Sequence, residues 1–144
     1  MKPASVKWRE AAQKASRTAC WAKIMAKWLI TWGQSGGARW HVVNLLGPAN
    51  CESRGVVDLL AVRKDHGTQD DVVKKGDLFD LVLIQVKGGT APPPTREDIA
   101  RLRKVAKHHK AKAVVLCEWK RRKCLQLFAL RRNRWVPVEP SEVF

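Results

Sequence analysis

The sequence has four cysteines among its 144 residues but no pair of them in a CxxC arrangement. Because no histidine and cysteine spacing fits a structural zinc site either, that class of metal protein is disfavoured. The scattered thiols favour free cysteines in a reducing cytoplasm, although their even number leaves disulfides open. A GxxxxGK[ST] phosphate loop is also missing, which argues against an ATPase.

Long apolar runs are missing as well. No run approaches the ~20 residues that a membrane-spanning helix needs, so we expect no membrane partner. Residues 1–17 lack the apolar segment of a secretory signal, and we interpret them as part of an ordinary first helix rather than an organelle transit peptide. Hydrophobic residues make up 45% of the chain, which predicts one folded domain over 1–144. We expect a cytoplasmic location, at the nucleoid if the source is bacterial.

Acidic residues are scarce: 13 Asp and Glu stand against 28 Lys and Arg, for a net charge of +15. Residues 1–51 contain eight basic residues and one acid, and residues 100–135 contain thirteen basic residues and one acid. Most acids therefore lie between 52 and 98. Basic flanks around an acidic centre indicate a polyanion such as nucleic acid bound across a cation site.

Apolar periodicity predicts helices over 4–32 and 96–109, with Thr95 as the N-cap of the second. In the first helix, large apolar residues recur every three or four positions and predict the face that packs in the core: Trp21, Ile24, Met25, Trp28, Leu29 and Trp32. Strands are predicted at 39–46, 56–64, 78–87 and 113–118, followed by a hairpin of 125–130 and 135–139. A strand, a crossover helix and another strand predict one parallel pair in a mixed α/β sheet flanked by helices.

Two of the predicted strands carry polar residues inside apolar runs. Asp58 interrupts GVVDLLAV, and Gln85 and Lys87 interrupt LVLIQVKGG. An aspartate among branched apolar residues is poorly suited to a strand and costly to bury without a partner. Gln85 and Lys87 are two residues apart, so both side chains leave the same face of a strand. If the two strands are neighbours, a carboxylate, an amide oxygen and an ammonium group converge.

These residues, in this order of elements, resemble the PD-(D/E)xK nuclease superfamily, and in particular its Holliday junction resolvase-like and Mrr-like branches. The resemblance covers roughly residues 5–118 and implies a restriction-endonuclease-like core of αβββαβ order, with the C-terminal hairpin added. Asp58 matches the first acid of the motif and Lys87 matches its lysine. Gln85 stands where the second acid is usual, although the Mrr-like branch also uses Gln-x-Lys.

The resemblance implies a Mg²⁺ site, with Mn²⁺ as a substitute, in which Asp58, the Gln85 amide oxygen and the Val86 carbonyl are ligands. Oxygen ligands and one or two carboxylates are what Mg²⁺ prefers. Lys87 would position the attacking water or stabilise charge in the transition state. Glu10 and Glu52 are two candidates for a further catalytic acid, and Glu52 is slightly favoured because residues 53–55 would bring it to the strand's entrance.

Basic residues near the predicted turns and along the second helix are candidate phosphate contacts. They are Arg54, Arg101, Lys104, Lys107, Arg121, Arg122 and Arg132. The expected function is Mg²⁺-dependent endonuclease activity on double-stranded or branched DNA, in a homodimer as the resemblance implies. Two alternatives stay open: a nucleic-acid-binding module on the same fold that has lost cleavage, with Gln85 as its symptom, and a basic structural protein.

Overall fold

The computed structural model describes residues 4–45, 55–89, 91–120 and 124–144. Two long helices and six strands follow one another with a short final helix. Their bounds are α1 Ala4–Gly33, β1 His41–Asn44, β2 Leu59–Asp65, β3 Leu78–Gly88, α2 Arg96–His108, β4 Ala113–Trp119, β5 Gln126–Arg131, β6 Arg134–Val138 and α3 Pro140–Val143.

The six strands form one sheet in the order β1-β2-β3-β4-β5-β6. Only β3 and β4 run parallel, and the other four neighbouring pairs are antiparallel. Helix α2 connects the parallel pair, as a parallel neighbour requires a crossover rather than a hairpin. The predicted mixed α/β sheet with flanking helices is confirmed, and β2 and β3 are neighbours.

Helix α1 packs on one face of the sheet through small residues. Its buried apolar residues among those described are Ala22, Ala26 and Ile30. Ala26 and Ile30 join a core with Trp40, Phe144 and the inward residues of the central strands. The contact at the end of β3 is close: a Cβ added to Gly88 would lie 3.0 Å from the Ala22 Cβ and 3.3 Å from the Thr18 carbonyl oxygen. Such an approach leaves no room for larger side chains on this face of α1.

The predicted core face of α1 is wrong for five of its six residues. Only Leu29 packs against the core. Ile24 is exposed, and so are four residues that form one line along the outer side of the helix, which we name the tryptophan stripe: Trp21, Met25, Trp28 and Trp32. The large apolar residues do recur every three or four positions. Because the helix contacts the sheet so closely, however, the side that carries its alanines faces the sheet.

Helix α2 covers the opposite face. Its Leu102 is fully buried in a second core with Val56, Leu83 and Val114, and Trp135 packs against that cluster. The predicted N-cap is present, because the Thr95 hydroxyl accepts a hydrogen bond from the Asp98 N–H at 3.1 Å. In turn, the Asp98 carboxylate accepts a hydrogen bond from the Thr95 N–H at 3.0 Å. This reciprocal pair satisfies two donors at the helix start.

Three of the four cysteines lie in the described ranges, and all three are free thiols. Burial raises the pKa of Cys117, which lies in the core, while Cys20 and Cys124 are exposed. Cys51 lies outside the described residues. Among the residues that the structure describes, neither α1 nor any other helix combines the length and apolar character needed to cross a membrane.

Candidate active site

Asp58 lies immediately before β2, where it joins the sheet by its main chain and its side chain together. Its N–H donates to the Ile84 carbonyl at 2.9 Å, and its carbonyl accepts from the Leu45 N–H at 3.2 Å. Its carboxylate Oδ2 accepts from the Val86 N–H at 2.8 Å. The carboxylate thus occupies the place of a main-chain acceptor beside β3, which explains how an aspartate is accommodated there.

Gln85 lies in β3, one peptide bond from the amide that holds Asp58. It is 6% exposed, and its Oε1 atom is buried with no hydrogen-bond partner. A buried acceptor without a partner costs free energy, and in native proteins it calls for a reason such as an absent ion. Alternation along β3 places this side chain on the α2 face, between Leu83 below and Lys87 above.

Lys87 is half-buried two residues further along β3, on the same face as Gln85. Its ammonium group lies near the first turn of α2. The pKa of Asp98 there is lowered mainly by the Thr95 N–H, and the positive charges of Lys87 and Arg101 add to the effect. Lys87 therefore lies close to the start of α2.

Glu118 is an acid that the sequence did not mark as part of the site. The parallel register pairs it with Lys87, so both side chains leave the same face of the sheet. Its side chain is 18% exposed and forms an ion pair with the Lys120 ammonium at 2.9 Å. An acid at the end of the apolar run AVVLC was visible in the sequence, but its alignment with Lys87 depends on the register of β3 and β4.

Asp58, Gln85 and Val86 are the residues that could provide oxygen ligands to a Mg²⁺ ion. Asp58 supplies one carboxylate, and Gln85 Oε1 is an unused neutral oxygen. In an extended strand the N–H and C=O of one residue point to the same side, so the Val86 carbonyl also points toward Asp58. Within the described ranges no group of three His, Cys, Asp or Glu side chains is arranged to hold a metal ion. Neutral oxygens would have to supplement the single carboxylate.

Of the two candidates for a further catalytic acid, Glu10 lies among the described residues and Glu52 does not. Glu10 is exposed on α1, eight residues before Thr18, whose side chain lies against Gly88 and Gly89 just after Lys87. The N-terminal part of α1 therefore continues past the end of β3 that carries Lys87. Glu52 lies outside the described residues.

The candidate phosphate contacts do not form one cluster beside the site. Arg101, Lys104 and Lys107 are exposed along α2, in order from the site end toward its other end. Arg132 is exposed in the turn between β5 and β6, at the opposite end of the sheet, where Asn133 accepts a hydrogen bond from Arg103 at 2.6 Å. Arg54, Arg121 and Arg122 lie outside the described residues.

Comparison with known proteins gives one distant likeness. No family model matches the chain. No curated protein matches it either. Among solved structures the chain is similar to the 1.6 Å structure of Archaeoglobus fulgidus Hjc, a Holliday junction resolvase from an archaeal hyperthermophile. The match has 12% identity and a TM-score of 0.43, and covers 84% of this chain and 85% of the other. At this level of similarity neither an activity nor a site residue carries over to the chain.

Proposed function

We propose that the protein is a Mg²⁺-dependent endonuclease that hydrolyses DNA phosphodiester bonds. The observation that carries the proposal is the buried, unpartnered Oε1 of Gln85, one residue before the Val86 N–H that holds the carboxylate of Asp58. Lys87 leaves the same face of β3 next to them. Oxygen ligands with an adjacent cation are what phosphodiester hydrolysis requires.

Each residue has a distinct role in this proposal. Asp58, held by the Val86 N–H, would provide the charged ligand, and Gln85 and the Val86 carbonyl would provide neutral ones. A bound Mg²⁺ would neutralise charge that develops on the phosphate. Lys87 would donate hydrogen bonds to the attacking water or to a phosphate oxygen, where its positive charge stabilises the transition state.

The positive charge of the chain supports the proposed class of substrate. A net charge of +15 attracts the chain to a polyanion. Along α2, Arg101, Lys104 and Lys107 follow one another at increasing distance from the site. We propose double-stranded or branched DNA as the substrate, with contacts to backbone phosphates along α2. A homodimer, in which two sites act on two strands, belongs to the same proposal.

The test is cleavage of supercoiled plasmid and of a four-way junction in Mg²⁺ and then in Mn²⁺. Asp58→Asn retains an oxygen for the Val86 N–H but removes the charge, so we expect a loss of at least about a hundredfold in rate with the fold intact. Lys87→Ala should lose about 10²–10³-fold. The matched controls are Asp71→Asn, an exposed acid on the β2–β3 connection, and Lys112→Ala, at the opposite end of the sheet.

Two results would contradict this assignment. Full activity in both Asp58→Asn and Lys87→Ala would mean that the site lies elsewhere. Tight junction binding by the wild type without cleavage in either metal would exclude the nuclease.

The second candidate function is a DNA-binding module on the same fold that no longer cuts. The neutral side chain at Gln85 favours it, because the site then has one carboxylate where two would bind Mg²⁺ more strongly. Gln85→Glu separates the two functions. Faster or newly acquired cleavage, together with half-saturation at a lower Mg²⁺ concentration, identifies this position as a ligand. Unchanged metal dependence would remove Gln85 from the proposed ligand set.

A further inference from the structure

The tryptophan stripe is the largest feature of the surface that the proposed active site leaves unexplained. Trp21, Trp28 and Trp32 are 58%, 62% and 85% exposed, and Met25 and the flanking Ile24 add to the same apolar surface. At about 150–250 Å² for a whole tryptophan side chain, the three tryptophans alone expose roughly 300–500 Å². Soluble monomers seldom expose a larger contiguous apolar patch than this.

The stripe belongs to the less charged half of α1. Between residues 18 and 33 the helix has two charged residues, the buried Lys23 and the exposed Lys27. Its first half contains most of its charge. Protein interfaces are enriched in aromatic residues and methionine and depleted of charge at their centre. Surfaces that stack nucleic-acid bases instead interleave aromatic residues with cations, so the stripe has the composition of a protein contact.

The position of the stripe also favours a contact with protein over a contact with nucleic acid. Thr18 contacts Gly88 and Gly89 at the site end of the sheet, and the C-terminal end of α1 lies against Pro140 of α3. The stripe therefore begins near the site end and extends away from it, on the outer side of the helix that covers the face opposite to Gln85 and Lys87. DNA bound along α2 would leave the stripe uncovered.

The spacing of the stripe matches a second copy of itself. Its residues lie four, three and four positions apart, and this series reads the same in both directions along the helix. In an antiparallel pair of α1 helices related by a twofold axis, Trp21 would oppose Trp32 of the partner subunit and Met25 would oppose Trp28 of the partner subunit. Spacings of three and four are those of helices that pack at a small crossing angle.

We propose that the tryptophan stripe is the homodimer interface of this protein, formed by antiparallel pairing of α1 with α1 of a second copy. The tryptophans of both copies would bury roughly 600–1000 Å² in total, and flanking side chains would extend this toward the 1,200–2,000 Å² of a stable interface. The same patch serves both copies, as a twofold contact requires. The inference specifies the surface for the homodimer in the proposed function.

Sedimentation velocity of the full chain, without DNA or divalent metal, tests the proposal. Up to about 50 μM, we expect the wild type to form a species of twice the 16.3 kDa monomer mass. Trp28→Glu/Trp32→Glu should raise the dissociation constant at least about a hundredfold, because it places charges at the centre of the interface. Trp8→Glu is the matched control, since Trp8 is 78% exposed on the same helix but lies off the stripe. It should stay dimeric.

The alternatives give different results. A monomeric wild type at these concentrations overturns the proposal, and so does a dimer that persists in Trp28→Glu/Trp32→Glu with unchanged circular dichroism. A monomeric wild type whose junction binding falls in that variant but not in Trp8→Glu would assign the stripe to nucleic acid and also overturn it. The readout involves neither cleavage nor metal, so an inactive active site and a misassigned interface are distinguished.

Discussion

The two long helices pack on opposite faces of one sheet and do so in opposite ways. Helix α2 buries Leu102 completely and exposes a charged side, as its apolar spacing predicts. Helix α1 buries Ala22 and Ala26 and exposes its tryptophans. In α2 the spacing of large apolar residues identifies the face that packs on the sheet, whereas in α1 it identifies an exposed face.

The difference has a steric cause at the end of β3. Gly88 and Gly89 bring the strand against Thr18 and Ala22, at distances that exclude a larger residue on either side. Gly89 also has a positive φ of 64°, which glycine adopts without strain. Helix α1 is thus held close to the sheet, whereas α2 stands far enough away to bury Leu102.

The largest stability effect should come from α2. We expect Leu102→Ala to lower the free energy of unfolding by about 2–5 kcal/mol, because it leaves a cavity in the second core. Trp8→Ala, which removes a larger but exposed side chain from α1, should change it by no more than about 0.5 kcal/mol. Urea denaturation measures both. Equal losses in the two variants would contradict the contrast between the helices.

A smaller loss of stability should follow from adding a methyl group where α1 closely approaches β3. Gly88→Ala places a methyl group 3.0 Å from the Ala22 Cβ, and we expect a loss of about 1–3 kcal/mol by overpacking. Gly36→Ala is the control, because no atom lies within 4 Å of the added Cβ, and it should stabilise slightly. In Gly88→Ala/Ala22→Gly the loss should be partly recovered. Without recovery, the two residues do not limit the approach of the helix.

The smallest effect concerns the start of α2 and depends on pH. Thr95→Ala should cost about 1 kcal/mol at pH 7 by removing the cap. The folded protein lowers the pKa of Asp98 below its ordinary value of 3.8, so its stabilising contribution is present above that value and is lost as pH falls through the folded pKa. The stability difference between wild type and Asp98→Asn should therefore shrink as the pH falls below 3.8 and through the lowered pKa of Asp98.

The control for this pH dependence is Glu97→Gln. Glu97 is an exposed acid in the same first turn of α2, while the capping bonds belong to Thr95 and Asp98. A difference from wild type that shrinks as steeply for Glu97→Gln as for Asp98→Asn would attribute the effect to the helix dipole rather than to the cap.

The sequence was most informative at positions where the chemistry of neighbouring residues alone indicates the local structure or makes a residue unusual. Thr95 and the helix after it were predictable from capping chemistry, and the polar residues Asp58, Gln85 and Lys87 stood out because apolar strands rarely contain them. Glu118 was not found, since its place beside Lys87 depends on the register of two strands that are 25 residues apart. Arg132 was predicted as a phosphate contact in a turn of the last hairpin, and the antiparallel register places that turn at the end of the sheet opposite to the candidate site.

The sequence by itself determined the mixed α/β sheet and the parallel pair around α2, because periodicity and crossover length act locally. Only the tertiary structure decided which side of α1 faces inward, since that depends on how closely two glycines let the helix approach. It also decided that the Asp58 carboxylate bonds to the Val86 N–H and that Gln85 Oε1 is left without a partner. The Asp58–Val86 contact joins residues 28 positions apart in the sequence, where no local pattern reaches.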